Sequence, residues 1–334
     1  MTEHIGLTSP EVTGLWGTYM QNSAMICFFQ HFLQHMEDEE IKPIVEESLS
    51  NAKRSVQEIK ALFEEESFPV PKGFSNNDVD LNAPRLYSDL FSLSFVYRLN
   101  QMTVNFYGTT LTKVARSDVV KLFQSYLQSS TATFVKSLNL MLSKGIYDRP
   151  PKMTYPDEVI MMKKQESLLE TLFGEKRALN SAELGEIFYI IERNYIGLIL
   201  LVGLIQVTKD QEVKSFFLKG KKLAEKQIDA FNGILRKEEA FGTLPISMEV
   251  TASMTAPFSE RLMSFIIATT TGTGVYLIGY AISVSTRKDL TAHYLLLMSE
   301  VMAYGKEGMS LMIKRGWMEQ LPQDINRKSL INKE

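Results

Sequence analysis

The chain carries one pattern twice. At an offset of about 172 residues, Leu7, Ser9 and Glu11 meet Leu179, Ser181 and Glu183. Asn22 and Gln34 meet Asn194 and Gln206, and the acidic turn at Asp38 meets the turn at Asp210. Further on, Ala83-Pro84 meets Ala256-Pro257, Arg116 and Asp118 meet Arg287 and Asp289, and Gly145 meets Gly316. Identities are sparse, but apolar positions and helix breaks run in parallel. A duplicated fold unit follows, with boundaries at 1–148 for the first copy, 149–178 for a Pro-containing linker, 179–322 for the second copy and 323–334 for a tail.

Strand signals are nearly missing, so the chain reads as all-α. Helices are expected over 9–36, 39–66, 84–115 and 118–144, and again over 181–208, 211–240, 257–286 and 288–316. Thr8 stands three residues before Glu11, and Asn180 three before Glu183, the spacing of a capping box. Ala83-Pro84 and Ala256-Pro257 are read as starts of the third helices, and Gly145 and Gly316 as the residues that end the fourth. A further short helix is expected in the linker from Asp157 to Leu172.

Loop lengths set the topology. Helices one and two, and three and four, are separated by almost nothing and must be antiparallel neighbours. Between two and three lie 67–83 and 241–256, broken by Pro69, Pro71, Gly73 and Pro245. About 17 extended residues reach roughly 55 Å, and a helix of about 27 residues is roughly 40 Å long. Each connection can therefore run the length of its bundle, which defines a four-helix bundle with one crossover. The first helix carries Leu15, Tyr19, Ile26 and Leu33 on one side and Ala24, Phe28, Phe32 and His35 on the other, so it is read as buried on both faces. We expect the first helices of the two repeats to pack against each other about a pseudo-twofold axis, with Phe28 and Phe32 touching the second bundle.

Composition removes several classes of function. Net charge is −3, without the basic surplus that phosphate neutralisation needs, so no nucleic acid is expected. Lys219, Lys221, Lys222 and Lys226 are interleaved with Glu225 and Asp229 and read as a solvated face. Cys27 is the single cysteine, which forbids an intrachain disulfide and fits a reducing compartment such as the cytoplasm. The stretch Leu262 to Thr286 is uncharged and long enough for a bilayer. Its twin, Leu90 to Ala115, carries Arg98, Asn100, Gln101, Asn105 and Lys113, so both are read as bundle helices, with no membrane span.

The helix starts Leu7–Glu11 and Leu179–Glu183, the Asp38 and Asp210 turns and the exit Gly145–Pro151 carry a resemblance. The chain resembles an uncharacterised Bacillus family of duplicated ferritin-like four-helix-bundle proteins, distantly similar to spore coat F type proteins. The resemblance covers nearly the whole chain. It implies a ferritin-like fold and an association with the spore or with other coat proteins; it implies no catalytic residue.

A ferritin-like bundle raises the question of a dinuclear carboxylate centre, which needs Glu from two helices and Glu-x-x-His from the other two. None of His4, His31, His35 and His293 has Glu three residues before it. The third and fourth helices of the first repeat offer Asn100, Asn105 and Thr133 at mid-depth. A dinuclear site is therefore not expected. His31 and His35 lie four apart on one helical face and are the candidate ligands for a single transition metal, iron or zinc, given a third ligand from elsewhere. Thr271-Gly-Thr-Gly274 has no strand before it and no Lys-Ser/Thr after it, so it is read as close helix packing rather than a phosphate loop. Three readings stay open: a non-enzymatic structural or interaction protein, a metalloprotein using His31 and His35, and a binder of an apolar small molecule in a core loosened by Gly and Thr near 269–274.

Overall fold

The computed structural model describes residues 5–161, 177–238 and 250–331. The first repeat contributes α1 (Ser9–Gln34), α2 (Lys42–Glu65), α3 (Asp89–Leu111) and α4 (Ser117–Ser143). The second contributes α5 (Ser181–Val207), α6 (Gln211–Lys237), α7 (Glu260–Val284) and α8 (Lys288–Lys314). Within each group the first helix pairs with the second and the third with the fourth, as the short connections require. The helix expected from Asp157 lies mostly outside the described residues, and 157–161 are not helical.

The caps explain the boundaries. Glu11 closes the expected box by accepting the Thr8 N–H at 2.7 Å, and Glu183 accepts the Asn180 N–H at 3.0 Å. Gly145 and Gly316 end α4 and α8 with φ of 68° and 65°, the left-handed region that suits glycine. The third helices start later than Ala83-Pro84 and Ala256-Pro257 suggest. Ser88 and Ser259 are the true caps, their side chains accepting from Phe91 and Leu262 N–H. The proline dipeptides instead sit in extended segments that have another partner.

That partner is the other repeat. Val79 bridges Phe258 and Tyr87 bridges Val250, both antiparallel. Asp80 N–H donates to Pro257 O at 2.8 Å, and Thr251 N–H donates to Leu86 O at 2.9 Å. Each pair is the other with the repeats exchanged, the signature of a twofold relation. The crossovers cross over in a second sense: each lays its end on the neighbouring repeat.

This corrects the expected join. The first helices do not form the main seam; among the described residues the most extensive helix contact between repeats is α3 against α5. The second face of α1 is covered by the exchanged crossover. Phe258 stacks on Phe28 with ring centroids 4.0 Å apart. Phe32 makes its ring contacts with Phe28, Tyr87 and Phe95 of its own repeat. In the mirrored position Tyr87 lies over Gly203 of α5 and donates its hydroxyl to Leu200 O at 2.7 Å. The result is a hydrophobic core that runs through both repeats.

α5 and α7 are each long and apolar enough, by length and composition, to cross a membrane. Here α5 pairs with α6 and α7 with α8 along the second group. Three of the four lysines singled out on α6 pair with acids: Lys219 with Glu307, Lys221 with Glu225 and Lys226 with Glu300.

Candidate functional site

The centres of the two groups, where a helical bundle would hold metal, are filled differently. In the first, Asn22 donates to the Tyr107 hydroxyl at 3.3 Å, Thr103 to the Ser130 hydroxyl at 3.1 Å, and Asn100 to Val96 O at 2.9 Å. Amide and hydroxyl side chains satisfying one another leave a space of only about 40 Å³. In the second, Asn194 donates to Gln227 Oε1 at 3.2 Å, and beside that pair the packing opens.

The opening is a pocket of about 140 Å³ that runs from the seam between repeats into the core of the second group. Such a volume matches an engineered apolar cavity of roughly 150 Å³ that binds benzene. Its walls are chiefly apolar: Phe95, Leu99 and Met102 from α3, Leu200 and Leu201 from α5, Ile266 and Ile267 from α7. A neighbouring space of about 270 Å³ shares Gln21, Leu99, Met102 and Thr273 with it.

The threonines of α7 belong to this surface. Thr269 and Thr271 donate their hydroxyls to the carbonyls of Phe265 and Ile267, at 3.0 and 2.8 Å, and Thr270 to Ile267 O at 2.9 Å. A hydroxyl that donates to its own helix has no proton left for a ligand, so these residues offer the space at most an acceptor. Gly272 has no neighbour within 4 Å of an added Cβ and borders the larger space. The segment singled out in the sequence therefore does two things: Gly274 packs closely, against Arg193, and the residues before it leave room.

At one side of the pocket stand two arginines. Arg98 lies 4.7 Å above the Tyr189 ring, 3.7 Å from Glu192, and donates to Tyr189 O and to Gln101. Burial raises the Glu192 carboxyl above its ordinary range, against the pull of Arg98. Arg193 has no hydrogen bond or ion pair among the described residues, and its Nε is sealed from solvent without a partner. Burial, with Arg98 beside it, pushes Arg193 down to about 10. Nothing in the spacing of the sequence marks this cluster; the two arginines come from helices of different repeats.

His31 and His35 do share a face, with ring centroids 5.1 Å apart. His35 Nε2 lies 2.8 Å from Ala83 O. His31 is buried against Phe258, and neither ring nitrogen has a partner. Burial, then the neighbouring His35, lowers it to about 4. Among the described residues no group of three His, Cys, Asp or Glu side chains comes together to complete a metal shell. Cys27 points its thiol at Ser75 O, 3.4 Å away, rather than at His31, and burial pushes it up to about 12.

Fold and site define a duplicated helical-bundle protein whose repeats line an apolar pocket with arginine at its edge. The chain belongs to the family described as protein of unknown function (DUF3231), whose model matches it twice, over residues 1–159 and 168–330. It is similar to the uncharacterized protein YvdQ of Bacillus subtilis (strain 168), 24% identical over 147 residues, 42% of this chain and 85% of that protein. It is also similar to the crystal structure of a Bacillus halodurans C-125 protein provisionally described as a spore coat protein. That match has 18% identity and a TM-score of 0.40, covering 45% of this chain and 98% of the other.

Proposed function

We propose that this protein is a non-enzymatic binding module on a duplicated ferritin-like scaffold, and that its ligand is a small apolar molecule held where the repeats join. The short, long, short pattern of connections supports the ferritin-like label. One observation carries the binding reading: the chiefly apolar opening of about 140 Å³ where the repeats join, which shares walls with a neighbouring space of about 270 Å³. A concave, mostly apolar site with few polar groups is the usual form of a small-molecule site.

Met102 lines both spaces, so Met102→Trp should fill the passage between them. We expect wild type to bind the fluorescent probe N-phenyl-1-naphthylamine saturably and the variant to lose that binding with its helix content unchanged. A probe signal that does not saturate in wild type, or that survives the substitution, removes the reading.

The spore, with other spore or coat proteins as partners, is the setting we propose from the resemblance to spore coat F type proteins; the cytoplasm is the alternative. A fluorescent fusion that stays diffuse throughout sporulation decides for the cytoplasm. A second reading keeps His31 and His35 for one iron or zinc ion, favoured by the two partnerless nitrogens of His31. Zinc titration by calorimetry, wild type against His31→Ala, tests it: equal heats in the two proteins end it.

A further inference from the structure

The pocket has a polar end that an apolar ligand does not use. Arg193 and Arg98 both border it, and Glu192 pairs with Arg98 at 3.7 Å. Arg193 has no ion pair among the described residues. It is half-buried with its Nε sealed and unpartnered, and an anion brought to a partly desolvated guanidinium would offset the cost of its burial.

The duplication shows that this charge is particular to the second repeat. The counterpart of Arg193 at the offset of about 172 residues is Gln21, which borders the same pocket. A neutral amide therefore suffices to fill the position in one copy. In the other copy the chain places a cation there and packs it against Gly274, where an added Cβ would lie 2.6 Å from Nη1, with no acid paired to it among the described residues. The hydroxyl of Tyr304, also on the pocket wall, is buried without a partner as well.

We infer that the pocket takes an anionic single-chain amphiphile, its acidic head on Arg193 and its alkyl chain along Phe95, Leu99, Met102 and Ile267. This rests on the binding reading above and names its ligand class. The head group is read by charge and by the forked guanidinium, and the chain by apolar contact. Arg98 is already held by Glu192, Tyr189 and Gln101 and acts by adding positive potential.

Three amphiphiles of one chain length separate the terms: decanoate, decanol and decyltrimethylammonium, titrated calorimetrically against the full chain at neutral pH. We expect decanoate to bind roughly ten-fold or more tighter than decanol, and the cation not to bind. Arg193→Met should bring decanoate to the level of decanol and leave decanol within about two-fold of wild type. Decanol binding also reports that the variant's pocket is intact. If the Met variant does not fold, the three head groups on wild type still decide. Equal affinity for decanoate and decanol, or a preference that survives Arg193→Met, overturns the inference while the apolar pocket stands. Failure of all three to bind overturns the pocket reading itself.

Discussion

Phe28 of the first repeat and Phe258 of the second lie ring on ring, 4.0 Å between centroids and 28° between planes. Both are buried, at 0% and 3% exposure. This pair joins the two repeats, and it exists because the crossover of the second repeat leaves its own bundle to reach α1.

Phe28→Asp should therefore part the repeats or drive aggregation, since it puts a charge without a partner into that contact. Phe28→Ala should cost about 3–5 kcal/mol, the usual range for a buried Phe. Chemical denaturation and small-angle scattering check both. Unchanged dimensions and unchanged stability in Phe28→Asp would show that the seam does not depend on this ring.

Gly203 gives a prediction of the opposite kind. Tyr87 lies so close that a Cβ on Gly203 would meet its ring and hydroxyl at 2.6 Å. Gly203→Ala should displace Tyr87 from Leu200 O and cost about 1–3 kcal/mol despite adding a helix-favouring residue. Gly197→Ala, one helix face away with nothing within 4 Å, is the control and should be neutral or stabilising. The comparison of the two melting temperatures decides.

Glu11 and Glu183 hold more than their own helix starts. Glu11 Oε1 accepts from Ala115 and Arg116 N–H at 3.1 and 2.8 Å, and Glu183 Oε1 from Thr286 and Arg287 N–H at 3.0 and 2.9 Å. Burial alone would raise both carboxyls. The bonds from Thr8, Arg116 and Ala115 outweigh it for Glu11, and those from Arg177, Asn180 and Arg287 for Glu183, leaving both at about 2. A lowered folded pKa means that the ionised form stabilises the fold above the ordinary carboxyl range. That stability drains as pH falls from about 4.5 toward 2, by up to ~3 kcal/mol per site. Glu11→Gln and Glu183→Gln should each destabilise at pH 7 and flatten the acid limb of the stability curve below about pH 4.5. An unaltered acid limb in the double variant would contradict this.

His31 acts in the same direction in a different window. It is folded in the neutral form, lowered from 6.5 to about 4 by burial and then by His35. Its contribution is complete above about pH 6.5 and is lost as pH falls to about 4, because only the unfolded chain takes up the proton there. The shift corresponds to at most ~3 kcal/mol. His31→Leu should reduce the slope of stability between about pH 6.5 and 4.5, before the carboxylates begin to titrate. His293, lowered by burial and by Lys226, leaves a residual slope in both proteins. Identical slopes for wild type and variant would mean that His31 is accessible to protons in the fold.

Much of this was legible along the chain because it is local. Capping boxes at Thr8 and Asn180, helix ends at Gly145 and Gly316, and antiparallel pairing across the Asp38 and Asp210 turns depend on residues within a few positions of one another. The apolar character of α1 on both faces said that something must cover it. What covers it was not legible, since Phe258 is over two hundred residues away and sits beside a Pro that reads as a helix start. The pocket was half visible: the Thr and Gly run near 269–274 pointed to loosened packing, but not to threonine hydroxyls that donate to their own helix. The arginines were invisible as a pair.

The sequence by itself determined the duplication, the all-α class, the helix order and the pairing within each repeat, because periodicity, caps and loop lengths are short-range constraints. Only the tertiary structure decided that the crossovers are exchanged between repeats, that His31 is sealed under Phe258, and that Arg193 and Arg98 border one pocket. Those facts depend on which surfaces of two similar bundles find each other. Packing of distant side chains sets that choice, and no local pattern encodes it.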